Sequence, residues 1–255
     1  MTNPAGAVTR GRGRSPFLAI VAYTLRVCIP ARRRGVLALP CAAAVLFGFL
    51  ASASNDPAPE AFATVADIAL FGLVVPLGCL VLGDAVLGAE VRGGTLPFTW
   101  LSPVPFGVIT AGRWLGGWLV ALATLVPASV LAALVANAPE SAPGAAVATA
   151  VGSGAYIALF VMIGATVQRA AVWSLAVVFL VERLLGTALS GIAQLSPMWE
   201  MRAVFADLAP DADELVRDGI PQGTAAIVRL VLIGVAALGV ATWRLRHLRL
   251  AGSSD

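Results

Sequence analysis

The chain has 255 residues, of which 59% are hydrophobic and only 12% charged, with a formal net charge of +3 and a mean hydropathy of +0.89. Soluble domains carry roughly a quarter charged residues, so this composition leaves too little polar surface to cover a water-soluble globule. Long apolar runs recur from Val36 to Trp243, which excludes a single anchor on a soluble body and predicts an all-α membrane protein with about six spanning helices by the length rule.

Residues 1–34 read as a cytoplasmic arm. Met1 to Arg14 is rich in Gly and Arg, and Ser15-Pro16 then offers an N-cap followed by a proline at the first helical position. Phe17, Ile20, Val21, Tyr23, Leu25 and Val27 predict a short apolar helix, stopped by Pro30 and lying in the membrane interface. Arginines ahead of Val36 to Leu50, with Ala51-Ser52-Ala53 behind, imitate a secretory leader. The stretch before that run is far longer than a leader's basic region, so the run is read as a retained first span.

Residues 35–243 form the transmembrane domain, with spans predicted near 35–54, 64–87, 106–135, 144–167, 170–192 and 224–243. Asn55 to Glu60 is a short acidic turn, Asn137 to Glu140 closes the third span, and Gln168-Arg169 is a tight turn. Two longer polar segments stand out, 88–105 between spans two and three and 194–222 before span six. Residues 244–255 are a basic tail in which the lone histidine, His247, sits among arginines suited to anionic headgroups.

Charge sorts by side. Arg10, Arg12, Arg14, Arg26, Arg32 to Arg34, Arg92, Arg113, Arg169, Arg244, Arg246 and Arg249 fall on one face of this topology. The other holds Asp56, Glu60, Glu140, Glu200, Asp207, Asp211, Asp213, Glu214 and Asp218 against Arg202 and Arg217. The positive-inside rule then puts both termini in the cytoplasm of a multi-pass protein of a bacterial inner membrane.

Few residues offer chemistry. The 17 basic residues are all arginine, which reads as coding bias, and without a lysine the chain cannot build a phosphate-cradling P-loop. Cys28, Cys41 and Cys79 are isolated, with no spacing that would bind a metal. No catalytic residue is assigned, and the chain is not expected to be an enzyme. Glu182, Arg183 and Arg229 lie within predicted spans. Charges at such depth face a bundle interior or pair with one another, so they are either a pathway contact or a structural pair, and a Glu182–Arg229 pair fits their depths. Asp67 and Asp84, near span ends, are expected to reach water. Gly112 and Gly116, with Gly117 adjacent, allow close helix approach early in span three, and Pro76 and Pro127 are candidate kinks. The segment 194–222 mixes Met198, Trp199, Met201, Val204, Phe205 and Leu208 with acids, a pattern suited to an extracellular re-entrant or interfacial helix followed by an acidic loop.

The segment 88–105 carries the most specific pattern. It runs Leu87-Gly88-Ala89-Glu90-Val91-Arg92-Gly93-Gly94-Thr95-Leu96-Pro97-Phe98-Thr99-Trp100-Leu101-Ser102-Pro103-Val104-Pro105. Here, over about twenty-five residues, the chain resembles the ATP-binding-cassette (ABC) type-2 permeases, the membrane subunits of a class of exporters. The resemblance rests on Glu90, Gly94-Thr95-Leu96, Leu101-Ser102-Pro103 and Gly112-Arg113, while Pro97 departs from the helix-favouring residue usual after Gly-Thr-Leu. It implies a permease that forms a transmembrane pathway as a dimer, with a second copy or a paralogue. It also implies that ATP and Mg are bound by separate ABC ATPase subunits and that this chain itself holds no cofactor and no nucleic acid. A cytoplasmic coupling helix between spans two and three would seat in the ATPase, with Glu90, Gly94, Thr95, Leu96, Phe98, Trp100, Leu101, Ser102, Pro103 and Arg113 as its coupling residues. The exposed apolar side chains of Phe98, Trp100 and Leu101 suit a partner surface and equally an anchor at headgroup level. Two rivals stand beside the permease. A secondary transporter would be built on an internal repeat, and no similarity between halves is evident. An intramembrane enzyme would place a histidine, an acid pair or a metal cluster in the bilayer, and the only histidine lies outside the spans.

Overall fold

The computed structural model describes residues 15–29, 34–88, 103–167, 169–186, 193–212, 215–216 and 219–247. Those residues form helices and turns with no strand. Helix α1, Pro16–Cys28, starts where its cap signal predicts: Ser15 accepts a hydrogen bond from the Leu18 amide at 3.4 Å, and Pro16 occupies the first turn. Helix α2 is Arg34–Ser52. Helix α3 is one continuous rod built from Ala58–Val65, Ala66–Val74, Val75–Gly83 and Asp84–Gly88. Helices α4, Phe106–Val135, and α5, Ala142–Thr166, are joined through Asn137, whose φ of 59° lies in the left-handed region that asparagine tolerates. Helix α6 runs from Ala170–Ala176 into Val177–Leu185, α7 is Pro197–Leu208, and α8 is Thr224–His247.

Among the described residues, Ala58–Val86, Phe106–Val135, Pro139–Thr166 and Thr224–His247 are the 4 stretches long and apolar enough to cross a membrane. The described apolar parts of the first and fifth expected spans, Ala38–Ser52 and Ala170–Leu180, are shorter. Two boundaries shift from the sequence reading. The rod α3 begins at Ala58, so Glu60 stands in its first turn, where the helix dipole favours an acid, rather than in the preceding loop. At the other end of the chain, α8 carries Arg244, Arg246 and His247 on its last turn, so the basic tail begins as helix.

Pro76 acts on α3 through hydrogen-bond spacing. The turns over Ala66–Val74 are wide, and the Val75 amide reaches back five residues to the Leu70 carbonyl. Such turns relieve the clash that a proline ring makes with the carbonyl four residues earlier.

Small residues set the packing. A Cβ on Gly112 would stand 2.9 Å from Ile20 of α1, and one on Gly116 would stand 2.7 Å from Thr24. Gly117, on the opposite side of α4, would meet Val86 at 2.8 Å and Ile157 at 3.3 Å. The glycine trio read from the sequence therefore lets α1 lie directly on one side of α4, with α3 and α5 on the other. A Cβ on Gly48 would strike the backbone of Ala132, which brings α2 equally close to α4.

Helix α5 is the centre of the bundle, in contact with α3, α4, α6, α7 and α8. Its Tyr156, Ile157 and Val161 are fully buried. Trp114 and Trp118 stack with centroids 5.1 Å apart and donate their indole N–H groups to the carbonyls of Gly154 (2.8 Å) and Ala150 (2.9 Å), strapping α4 to α5. The hydroxyls of Thr110 and Thr242, 2.7 Å apart, join α4 to α8.

Candidate functional site

Of the predicted coupling residues, Glu90, Gly94, Thr95, Leu96, Phe98, Trp100, Leu101 and Ser102 lie outside the described residues. Both ends of the segment are described, and they are bolted together. Arg113 of α4 is 5% exposed and donates from Nη1 to the Val86 carbonyl near the end of α3, at 3.0 Å. The sequence reading put Arg113 on the cytoplasmic side of the charge pattern and among the coupling residues. The structure puts it inside the bundle, so its part in coupling would be to fix the two helices that carry the segment rather than to touch a partner. Pro103 is exposed just ahead of α4, and α1 packs against both that helix and the end of α3.

The other predicted charges belong to a polar layer built around α7. This helix runs antiparallel to α5. At the start of α5, a Cβ on Gly144 would lie 3.2 Å from the Phe205 carbonyl; further along, Gly152 leaves room for the Met201 side chain. Further still, Ser196 and Tyr156 meet on one carboxylate. That carboxylate is Glu182, 2% exposed, which accepts the Tyr156 hydroxyl at 2.6 Å and the Ser196 hydroxyl at 2.9 Å. Tyr156 lies about 21 Å along α5 from Ala142 at 1.5 Å per residue, so the N-terminus of α7 reaches the middle of the bundle. Ser196 stands at the N-cap position of α7 but does not cap it with its side chain, because its hydroxyl is committed to Glu182. A helix N-terminus beside a buried carboxylate is a favourable placement.

Two ion pairs hold the rest of α7. Arg202 pairs with Asp67 of α3, donates to the Asp67 carbonyl at 3.4 Å and lies over the Trp199 ring at 4.3 Å. Asp67 was expected to reach water at a span end. It is instead largely enclosed, because α3 starts earlier than expected and places this residue about 14 Å along the rod. Arg229 of α8 contacts Glu200 of α7 at 3.4 Å. The Glu182–Arg229 pair suggested by depth does not form. Helix α7 inserts between them and brings its own carboxylate to Arg229, while Glu182 turns to Tyr156 and Ser196. The Arg183 side chain lies outside the described residues. Phe205, edge-on to Phe62 (ring centroids 6.0 Å apart) and tilted against Phe71 (5.3 Å), locks the far end of α7 to α3.

No family model and no curated protein matches the chain. Among the described residues, no cluster of His, Cys, Asp or Glu is placed to hold a metal ion.

Sequence reasoning missed Tyr156, Ser196 and Glu200 as members of this layer. A signal was present for Glu200. Met198, Met201, Val204 and Phe205 make one apolar stripe at helical spacing, and Trp199, Ala203 and Ala206 add apolar side chains on the opposite flank. A helix apolar on both flanks is a buried one, which leaves its charges facing the interior.

Proposed function

We propose that this chain is the permease subunit of an ABC exporter, paired with a second copy or a paralogue and driven by separate ATPase subunits that bind ATP and Mg. The observation that carries the reading is the Glu90, Gly94-Thr95-Leu96, Leu101-Ser102-Pro103, Gly112-Arg113 pattern on the connection between α3 and α4. Work done by an ATPase outside the membrane must cross a protein–protein contact. A segment whose two ends are joined through the buried Arg113–Val86 bond and braced by α1 would transmit displacement rather than absorb it. In this reading, α2, α3, α4, α5, α6 and α8 are the spans, both termini are cytoplasmic, and α7 is a re-entrant helix entering from the extracellular side of a bacterial inner membrane.

The topology is tested by single cysteines. Labels at Asp56, Glu140 and Asp213 react with an impermeant reagent from outside, and labels at Arg92 and Arg169 only from inside; one loop labelled from the wrong face overturns the arrangement. Coupling is tested with the cognate ATPase. Trp100→Ala and Leu101→Ala each weaken its capture by at least about 2 kcal/mol, the usual scale of an interface hot spot, while the membrane domain keeps its melting temperature. Unchanged capture and unchanged transport-coupled hydrolysis would sink the coupling role and leave Trp100 as a headgroup anchor.

A further inference from the structure

Arg229 is a cation at hydrocarbon depth with most of its hydrogen-bonding capacity unused. Counted back from Arg244, which begins the basic end of α8, it lies about 22 Å into a hydrocarbon layer about 30 Å thick. The side chain does not snorkel out, because Nη1 is turned inward to Oε1 of the fully buried Glu200. That contact is long, at 3.4 Å, and it engages Nη1 alone of a fork that carries five N–H donors. The other donors have no protein acceptor among the described residues, although the side chain is 38% exposed. They border an open hollow of about 400 Å³ walled by Gln194, Leu195, Leu232 and Ile233. Leu195 adjoins Ser196, whose hydroxyl meets Glu182 in the middle of the bundle. Acyl chains would leave the guanidinium unsatisfied here, and a charge at such depth faces protein or a polar route.

We propose that this hollow is the binding site of a small organic monoanion, a solute with one oxyanion head and a compact apolar body. The head lies on the free edge of the Arg229 fork, which suits two oxygens side by side. One cation, already shared with Glu200, balances one charge and not two. The body lies against Leu195, 72% exposed, and Leu232, 60% exposed, together with Ile233. Such walls give an inorganic anion nothing in return for its lost hydration. A lipid phosphate belongs at the headgroup level, outside the depth of this site. The volume is that of a small-molecule pocket. Glu200 enters as the rival acceptor: its charge holds the guanidinium in place and weakens the grip on any anion, so that the solute can leave again. Naming the solute as cargo rests on the permease reading, whereas its binding does not.

The full-length chain, without an ATPase, is placed in phosphatidylcholine nanodiscs and titrated calorimetrically with naphthalene-2-sulfonate, empty discs serving as the blank. The wild type binds the sulfonate at one site, and binds the uncharged naphthalene-2-sulfonamide about tenfold or more weakly, the scale of hydrogen bonds to a charged group. Glu200→Gln removes the competing charge and binds the sulfonate about tenfold or more tightly than the wild type, a gain that a residue merely packing α7 would not give. Arg229→Gln abolishes binding. Leu232→Trp fills the hollow, leaves the Arg229–Glu200 contact in place and also abolishes it, so it decides the matter if Arg229→Gln fails to fold. Equal affinity for sulfonate and sulfonamide, or in wild type and Leu232→Trp, overturns the site. A Glu200→Gln variant that binds no more tightly than the wild type overturns Arg229 as the shared ligand. Loss of binding when phosphatidylglycerol is added, in salt high enough to screen the disc surface, assigns the hollow to a lipid phosphate and overturns the solute. Each failure leaves the permease reading to its own test, capture of the ATPase.

Discussion

Arg202→Ala lowers the stability of the membrane domain by about 3 kcal/mol or more, a larger loss than any exposed arginine in this chain would cause. The side chain is only 9% exposed and its partner Asp67 20%, so the change strands a carboxylate in the bundle with its cation gone. Breaking a buried pair from one side costs about 3–5 kcal/mol; the partial exposure of Asp67 places this one at the lower end. Loss of the guanidinium from the Trp199 face adds about 0.5–2 kcal/mol. The check is a double-mutant cycle read by thermal unfolding in detergent. Asp67→Asn alone costs less, since Arg202 then still has the amide oxygen, the residue 67 carbonyl and the Trp199 ring as partners. Arg202→Ala on that background costs much less than in the wild type, because no carboxylate is stranded. Strict additivity across the cycle would show that the pair does not hold α7 to α3. Arg202→Lys serves as the control: it retains charge but loses the planar fork and much of the stacking on Trp199, so it falls between wild type and alanine.

The same pair shows what one-dimensional reading can and cannot reach. The bounds of α4 were legible because Pro105 and Asn137 mark both ends of an uninterrupted apolar run, and α1 was legible from Ser15-Pro16. The close approach at Gly112 and Gly116 was legible as spacing, although the partner, α1, was not. Depth along a helix can be counted from residue numbers, and on depth alone Glu182 and Arg229 looked matched. Azimuth cannot be counted, and neither can the insertion of a third element. Helix α7, which the sequence marked as an extracellular re-entrant or interfacial segment, slides its N-terminus along α5 and reassigns both charges. Asp67 was misjudged for a simpler reason. Starting the second span at Thr64 rather than Ala58 left this acid three residues inside the helix instead of nine, close enough to an end to be counted as wet. The segment richest in motif, 88–105, remains a matter of sequence pattern beyond its two anchored ends.

Glu182→Leu produces the second large effect, and the helix that suffers is α7 rather than α8. Removing the carboxylate leaves the hydroxyls of Tyr156 and Ser196 without their shared acceptor in a fully packed interior, and each orphaned buried group costs about 1–3 kcal/mol. It also removes the negative group beside the N-terminus of α7, a further contribution of about 0.3–1 kcal/mol and more where water is excluded. Glu182→Gln retains an acceptor oxygen of nearly the same shape and costs markedly less. Tyr156→Phe, which deletes one donor along with its hydrogen bond, costs about 1.5–3 kcal/mol if the carboxylate is ionised, and added to Glu182→Leu it costs little more, because the orphan it would remove is the one the leucine creates. Arg229→Gln supplies the opposite comparison. Its contact is Glu200, so its effect adds to that of Glu182→Gln within about 0.5 kcal/mol, as for sites that share no partner. Thermal unfolding of the single and double variants measures both cycles. Coupling between Glu182 and Arg229, with none between Glu182 and Tyr156, would reverse the assignment and return the charge of α6 to α8.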